Sequence, residues 1–281
     1  MLDAVIDRLR CPVCHGPLAA AAGGTALSCA RGHHFDIARQ GYVSLLTGRG
    51  APGTADTAAM VAARDRFLRE GHYEPLTRLL TELTGPYAGP EPPVLAEAGA
   101  GTGHYLARSV AACPGSAGIA LDVSKHALRR AARAHARIGA VLADVWRPLP
   151  LMDDSVDVLL NIFAPRNSAE FARILKPGGG LLVVTPGPGH LGELVDRLGL
   201  LTVAPDKDLR TADTLGRHFA LVAESTVTAG LSLSHAAAEA AVGMGPSAWH
   251  VDLETARRKI AELPEPVAVW AAFRITTWIV A

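Results

Sequence analysis

From Val94 onward the chain alternates short apolar runs with stretches of helical periodicity. Residues 94–98, 118–122, 140–144, 156–162 and 180–185 are dominated by Val, Ile, Leu and Ala. Such runs suit strands buried on both faces, and the helices between them supply the crossovers of a parallel sheet. Beyond His190 the pattern predicts a helix, a strand near 221–231, a helix over 234–242 and a last strand near 273–280. Upstream, 58–70 reads as a helix stopped at Gly71, a second helix runs through Leu83, and the proline-rich 85–93 marks a boundary. Residues 47–57 are rich in Gly, Pro and Thr and read as a linker. The expected organisation is a small module over 1–46, linker and helices over 47–86, and an α/β domain over 87–281.

The first module has too few large side chains for a core of its own. It carries three of the four cysteines: Cys11 and Cys14 two residues apart, then fourteen residues, then Cys29 with His33 four positions on. Two tight turns at that spacing present four soft ligands to one tetrahedral zinc ion, whose binding is also folding free energy. His33 fits the spacing best, with His34 and His15 as neighbouring alternatives. A Cys11–Cys14 redox pair would need a thioredoxin-like context that is missing here. Disulfides would suit a secreted chain, but Asp3, Asp7, Arg8 and Arg10 interrupt any leader-like apolar run. Reduced thiols predict a cytoplasmic protein.

A length of 281 residues leaves room for a sizeable α/β core, and no apolar run is long enough to span a bilayer. The net charge of zero hides an asymmetry. Residues 1–150 hold sixteen Lys/Arg against twelve Asp/Glu, and the remainder eleven against fifteen. An anionic partner therefore suits the first half, where Arg31, Arg39, Arg49, Arg64, Arg66 and Arg69 can pair with phosphates. Lys125, Arg129, Arg133 and Arg137 recur every four residues, as a basic helical stripe or simply a solvated face.

Glu97-Ala-Gly99-Ala-Gly101-Thr-Gly103 follows the first strand of the α/β domain and opens a helix. Glycines there let the backbone approach a ligand at the carboxyl edge of the sheet. The acid two residues before the first glycine can pair with a cationic amino-acid end, whereas it would repel a pyrophosphate. Asp122, ending the second strand, can take both ribose hydroxyls, and Asp144-Val145 ends the third strand beside an adenine edge. Residues 175–180 read as a tight turn into the fifth strand. The ligand implied is S-adenosylmethionine.

With the zinc knuckle, His33-His-Phe-Asp36, Gln40-Gly-Tyr42-Val-Ser-Leu-Leu46, Ala63-Arg64 through Gly71-His72-Tyr73, Leu121-Asp122-Val-Ser-Lys125, Ala164-Pro165-Arg166 and Thr185-Pro-Gly-Pro-Gly-His190 resemble the 23S ribosomal RNA guanine-N1 methyltransferases. Asp144-Val-Trp146, Asn161 through Asn167 and Met244 through His250 look like the actinomycete branch linked to macrolide self-resistance. The resemblance covers most of the chain. It implies a class I S-adenosylmethionine-dependent methyltransferase fold, α/β and Rossmann-like with a seven-stranded sheet, behind a zinc-ribbon-like RNA-recognition module. It places zinc on Cys11, Cys14, Cys29 and His33, and cofactor contacts on Tyr73, Gly101, Thr102, Asp122 and His190. The loop reading adds Glu97, Gly99, Gly103, Asp144 and Val145. Glu97 stands where the family often has Asp. The implied reaction methylates N1 of a guanine in the hairpin 35 loop of 23S rRNA, with the 748 type preferred to its 745-type neighbour; the residues do not decide between these two guanines or whether macrolide resistance follows. A second copy of the chain is an admissible partner; a membrane is not.

Guanine N1 carries a proton at neutral pH, and a base within hydrogen-bond reach must remove it. Its edge is hidden in a helix, so a flipped or looped base is needed, resting on planar side chains. Asn161, Phe163, Pro165 and Arg166 at the end of the fourth strand, Trp249 near the C-terminus, and Asp56 and Arg64 are the candidates. Asp56 reads better as a helix cap than as a catalytic group, and Phe163 and Trp249 read equally well as packing. None is singled out as the base. Two other functions share the cofactor site. A small-molecule methyltransferase needs neither the zinc module nor the basic half, and a non-catalytic RNA-binding protein needs neither the glycines nor Asp122 and Asp144.

Overall fold

The computed structural model describes residues 2–48, 55–89, 92–200, 213–245, 248 and 252–281. Strands β1 (Ala19–Ala20), β2 (Ala26–Ser28) and β3 (His34–Asp36) form a small antiparallel sheet. The main sheet comprises β4 (Tyr42–Ser44), β5 (Val94–Ala98), β6 (Ala117–Asp122), β7 (Ile138–Leu142), β8 (Val156–Ile162), β9 (Leu175–Pro186), β10 (Phe219–Leu233) and β11 (Val267–Val280). Its order is β10-β11-β9-β8-β5-β6-β7-β4, parallel from β9 to β4, with β11 and β10 antiparallel. The expected seven strands are all there; the eighth comes from the N-terminal module. Tyr42, Val43 and Ser44 pair with Ala140, Val141 and Leu142 and cover the edge of β7.

The helices are α1 (Ala58–Arg69), α2 (Glu74–Thr84), α3 (His104–Ala112), α4 (Lys125–Ala134), α5 (Ser168–Ile174), α6 (Gly192–Leu198), α7 (His235–Gly243) and α8 (Leu253–Ala261). Side-chain caps start five of them: Thr57, Ser124, Asn167, Ser234 and Asp252 each accept an amide from the first turn. Every residue of β5 and β8 is buried. One sheet face packs Leu95, Leu106, Leu128, Val158 and Phe273, the other Leu9, Val43, Ile119, Leu159 and Phe171. This two-sided burial explains the unbroken apolar runs.

Several expectations shift. The third strand sits two residues earlier, because Ala143 and Asp144 already belong to the turn above the sheet. The tight turn at 175–180 is instead the start of β9, with a register slip that pairs Val156 with Leu175 but Val158 with Gly180. Arg137 leaves the basic stripe. It lies beyond α4 and its guanidinium donates to Val110 O and Ser116 O at 2.6 Å and Cys113 O at 3.2 Å, closing the end of α3.

The N-terminal module is fastened to the sheet. Leu9 forms an antiparallel bridge with Leu151, and Arg10 N donates to Pro150 O at 3.1 Å. The Arg10 side chain joins Asp153 and Glu170, which Arg173 also holds. Val5 and Leu2 press on β7 where Gly139 offers no side chain; a Cβ there would lie 2.4 Å from Val5 Cγ2. Among the described residues no helix is long and apolar enough to cross a membrane. Gly139→Ala should therefore overpack this seam and cost about 1–3 kcal/mol, read as a lower urea midpoint; an unchanged midpoint would show that the N-terminal turn yields freely.

Candidate functional site

Two sites emerge. In the first, the Cys11, Cys14 and Cys29 sulfurs and a His33 ring nitrogen lie within 4.8 Å of one another. Cys14 Sγ is 3.6 Å from Cys29 Sγ, and His33 Nδ1 is 3.6 Å from Cys11 Sγ and 3.3 Å from Cys29 Sγ. A tetrahedral zinc with Zn–S near 2.3 Å sets its ligand atoms roughly 3.6–3.8 Å apart. The donor set and its spacing fit zinc with no open position. His15 and His34 are exposed and outside the cluster.

The second is a cavity of about 1100 Å³ over the carboxyl ends of β5–β9, roofed by α1 and the end of α7. Its floor is the glycine loop. Gly99 has φ +78, and a Cβ there would strike Ala164 Cβ at 2.4 Å. Gly103, at φ +75, sits behind the floor with Ala131 Cα 3.0 Å from where its Cβ would be, so α3 starts hard against α4. Asp122 binds the loop: Oδ2 accepts Gly101 N at 2.8 Å and Oδ1 accepts Ser124 N at 2.7 Å. Burial raises its pKa against the pull of those two amides.

Tyr73, Glu97, Gly99, Gly101, Thr102, Asp122, Asp144, Val145 and His190 all line this cavity, as do Asp56, Arg64, Phe163 and Pro165. Glu97, 1% exposed, accepts Leu106 N at 3.1 Å, and burial pushes its pKa well up. Tyr73 OH lies 3.2 Å from His190 Nε2, and His190 Nδ1 lies 2.9 Å from Ala272 O. Phe273 packs edge-on to Tyr73 at 4.7 Å and tilted to His190 at 4.9 Å. Asn161 and Arg166 do not line the cavity. Asn161 stands behind it, donating to Ala98 O at 3.2 Å and Pro165 O at 2.9 Å, and so pins the loop after β8. Trp249 and Arg49 lie outside the described residues. The cap of α1 is Thr57, so Asp56 is not one: its carboxylate pairs with Arg64, which also donates to Met244 O at 2.6 Å. The sequence reading missed the lining residues Trp146, His104, Leu68, Leu194 and Met244; Trp146 was visible only as part of the Asp144-Val-Trp146 run.

The electrostatics discriminate between ligands. Asp56, Glu97, Asp122, Asp144 and Asp196 line the cavity, and Arg64 is the sole Lys or Arg among the described lining residues. Such a field favours a sulfonium and an ammonium over a pyrophosphate. The glycine cradle, the Asp122 carboxylate at its edge and this charge fit S-adenosylmethionine.

Two outcomes follow from the sites. Protein purified without chelator should carry one zinc per chain, and Cys29→Ser should lose it; below about half an equivalent in the wild type by metal analysis, the structural-zinc reading fails. Burial lowers the His190 pKa from 6.5 to about 4. Between those values only the unfolded chain takes the proton, so this contribution to stability is full above pH 6.5 and is lost as pH falls towards 4. Urea unfolding of the wild type should lose stability more steeply over that window than His190→Gln, by on the order of 2–3 kcal/mol; parallel pH curves would refute the shift.

Residues 9–48 match the family described as RlmA, N-terminal, and residues 95–179 that described as a methyltransferase domain. A Micromonospora griseorubida protein, whose name assigns it to the 23S rRNA (guanine-N(1)-)-methyltransferases, is 52% identical, with 98% of each chain covered. The 23S rRNA (guanine(748)-N(1))-methyltransferase of Streptomyces fradiae is 49% identical, with 92% of each chain covered. Among solved structures, the cyclase SpnF aligns with a TM-score of 0.51 at 17% identity, over 83% of this chain and 98% of that one. At 17% identity that last likeness shows a shared fold alone. Half of all positions shared across nearly the full length with the first two is another matter: the chain belongs to the family of 23S rRNA guanine-N1 methyltransferases.

Proposed function

We propose that this chain methylates N1 of a guanine in 23S rRNA, at the position equivalent to the guanine 748 named for the Streptomyces fradiae relative. The observation that carries the reading is the acid-lined, glycine-floored cavity in a chain 49% identical to that relative over 92% of its length. S-adenosylmethionine, when bound, supplies a methyl activated on a sulfonium. The protein's part is alignment of the acceptor nitrogen, and removal of its proton.

In this reading Asp122 holds the ribose, and Glu97 and Tyr73 border the methionine end with His190 behind Tyr73. Asp144 and Val145 flank the adenine, and Asn161 positions the Pro165 turn where the base enters. His190 is neutral at pH 7. The zinc on Cys11, Cys14, Cys29 and His33 shapes an RNA-recognition module. Three thiolates on a divalent ion with a neutral imidazole leave that site at about −1, so exposed Arg31 and Arg39 meet the phosphates. A cytoplasmic location and macrolide resistance accompany the reaction.

Tritiated cofactor offered with naked 23S RNA or with a small-molecule extract tests the substrate class, and primer extension across the hairpin 35 loop tests the position. Label in RNA with a stop at the 748-type guanine is the expected result; label only in small molecules would overturn it. Asp122→Ala should raise the cofactor Kd about 10–150-fold, the worth of two charge-assisted bonds at 1.5–3 kcal/mol in all. An unchanged Kd by calorimetry would move the ribose contact elsewhere.

A further inference from the structure

Two large aromatic side chains line the cavity without being buried: Trp146 is 65% exposed and Phe163 42%. Of the other described Phe and Trp residues only Trp270, away on β11, is as exposed. Both cavity rings sit on backbone that is firmly held. Phe163 has φ +53, the left-handed region a bulky side chain rarely adopts. Its amide donates to Val184 O at 3.1 Å, one step beyond the last pairing of β8 with β9. The turn leaves the ring 5.9 Å from Phe273 and 6.4 Å from His190, tilted to both.

Trp146 is held in the same manner. Its amide donates to Asp144 Oδ1 at 3.0 Å. Asn167 Nδ2 donates to Val145 O at 2.9 Å, and Leu149 N to Glu170 Oε2 at 2.6 Å. The loop of Trp146 is thus tied to the start of α5, only a few residues beyond Phe163, while Asn161 ties the Pro165 turn back to β5. Backbone polar groups are satisfied and the rings are left out, which is the reverse of what core packing does.

We propose that Trp146 and Phe163 form the stacking subsite for the target base, a role that rests on the RNA-methylation reading above. The occupant must offer a flat face to exposed rings and carry no negative charge, since acids outnumber the one arginine among the described lining residues. An extruded guanine meets both conditions, and its phosphates stay outside.

The test uses the full chain and a hairpin 35 transcript. Trp146→Ala and Phe163→Ala should each raise KM for RNA about tenfold to a hundredfold, with the Kd for S-adenosylmethionine within about twofold of wild type. Trp146→Phe should restore most of the loss. With 2-aminopurine replacing the target guanine, wild type should quench the fluorescence by stacking, and Trp146→Ala should leave it bright. Unchanged RNA kinetics in both alanine variants, or loss of cofactor binding with them, overturns the subsite and leaves the methyltransferase reading intact. A wild type that binds cofactor but labels no RNA overturns that reading itself.

Discussion

The site is organised around one half-buried carboxylate. Asp122 ends β6, and its two oxygens take amides from two different elements: Gly101 in the loop after β5 and Ser124 at the cap of α4. Removing a carboxylate from water is costly, and amide bonds to both oxygens offset that cost while leaving lone pairs on the cavity side. The glycine loop can reach Asp122 only because Gly101 accepts φ +54, and it can fold under the cavity only because Gly99 leaves room for Ala164. Ser124 extends the chain of constraint, since its hydroxyl donates to Asp56 O at 2.8 Å. Asp56 then pairs with Arg64, and Arg64 reaches the end of α7 at Met244. A connected set of polar contacts therefore runs from the floor of the cavity to its roof.

The zinc module belongs to this architecture rather than hanging from it. Its last strand completes the sheet at β7, and Arg10, adjacent to the ligand Cys11, enters the ion cluster of Asp153, Glu170 and Arg173. Glu170 also accepts the Leu149 amide, and Arg173 holds Leu149 O and Leu151 O. Arg10, Glu170 and Arg173 are largely shielded from solvent. That makes their mutual satisfaction matter more than a surface pair would, because removing one member strands the others in low dielectric. Metal binding thus stabilises a module whose far side braces the loop carrying Trp146.

What was legible in the sequence follows from the range of the forces involved. Cysteine spacing, the glycine loop and the apolar runs of β5, β6 and β8 are local signals, and the fold places them where local physics says. The pairing of Tyr42–Ser44 with β7 joins residues almost a hundred positions apart over three residues, with no periodicity to announce it. Helix α8 is short and the apolar pattern gave no element for it; its start is marked by Asp252, which caps the first turn. Arg137 carries the same four-residue spacing as its neighbours, yet α4 ends first, and the unsatisfied carbonyls of α3 claim it. Asp56 could not be told from Thr57 as a cap without knowing that Arg64 would meet it.

Charge finally separates the two halves of the chemistry. The cavity that suits a sulfonium is hostile to phosphate, while the first 150 residues carry the basic excess. On the proposed reading, an RNA chain pairs with exposed arginines such as Arg31 and Arg39, and meets in the acid-lined chamber only Arg64, already paired with Asp56, among the described lining residues. Only a group that leaves the charged backbone behind can cross that boundary, and among the parts of a nucleotide this is the base. On the proposed reading, such a lining filters by charge: it would admit a flipped guanine more readily than the strand that carries it. On the same reading, selection among bases falls to neutral contacts near the Pro165 turn and the exposed rings of Trp146 and Phe163.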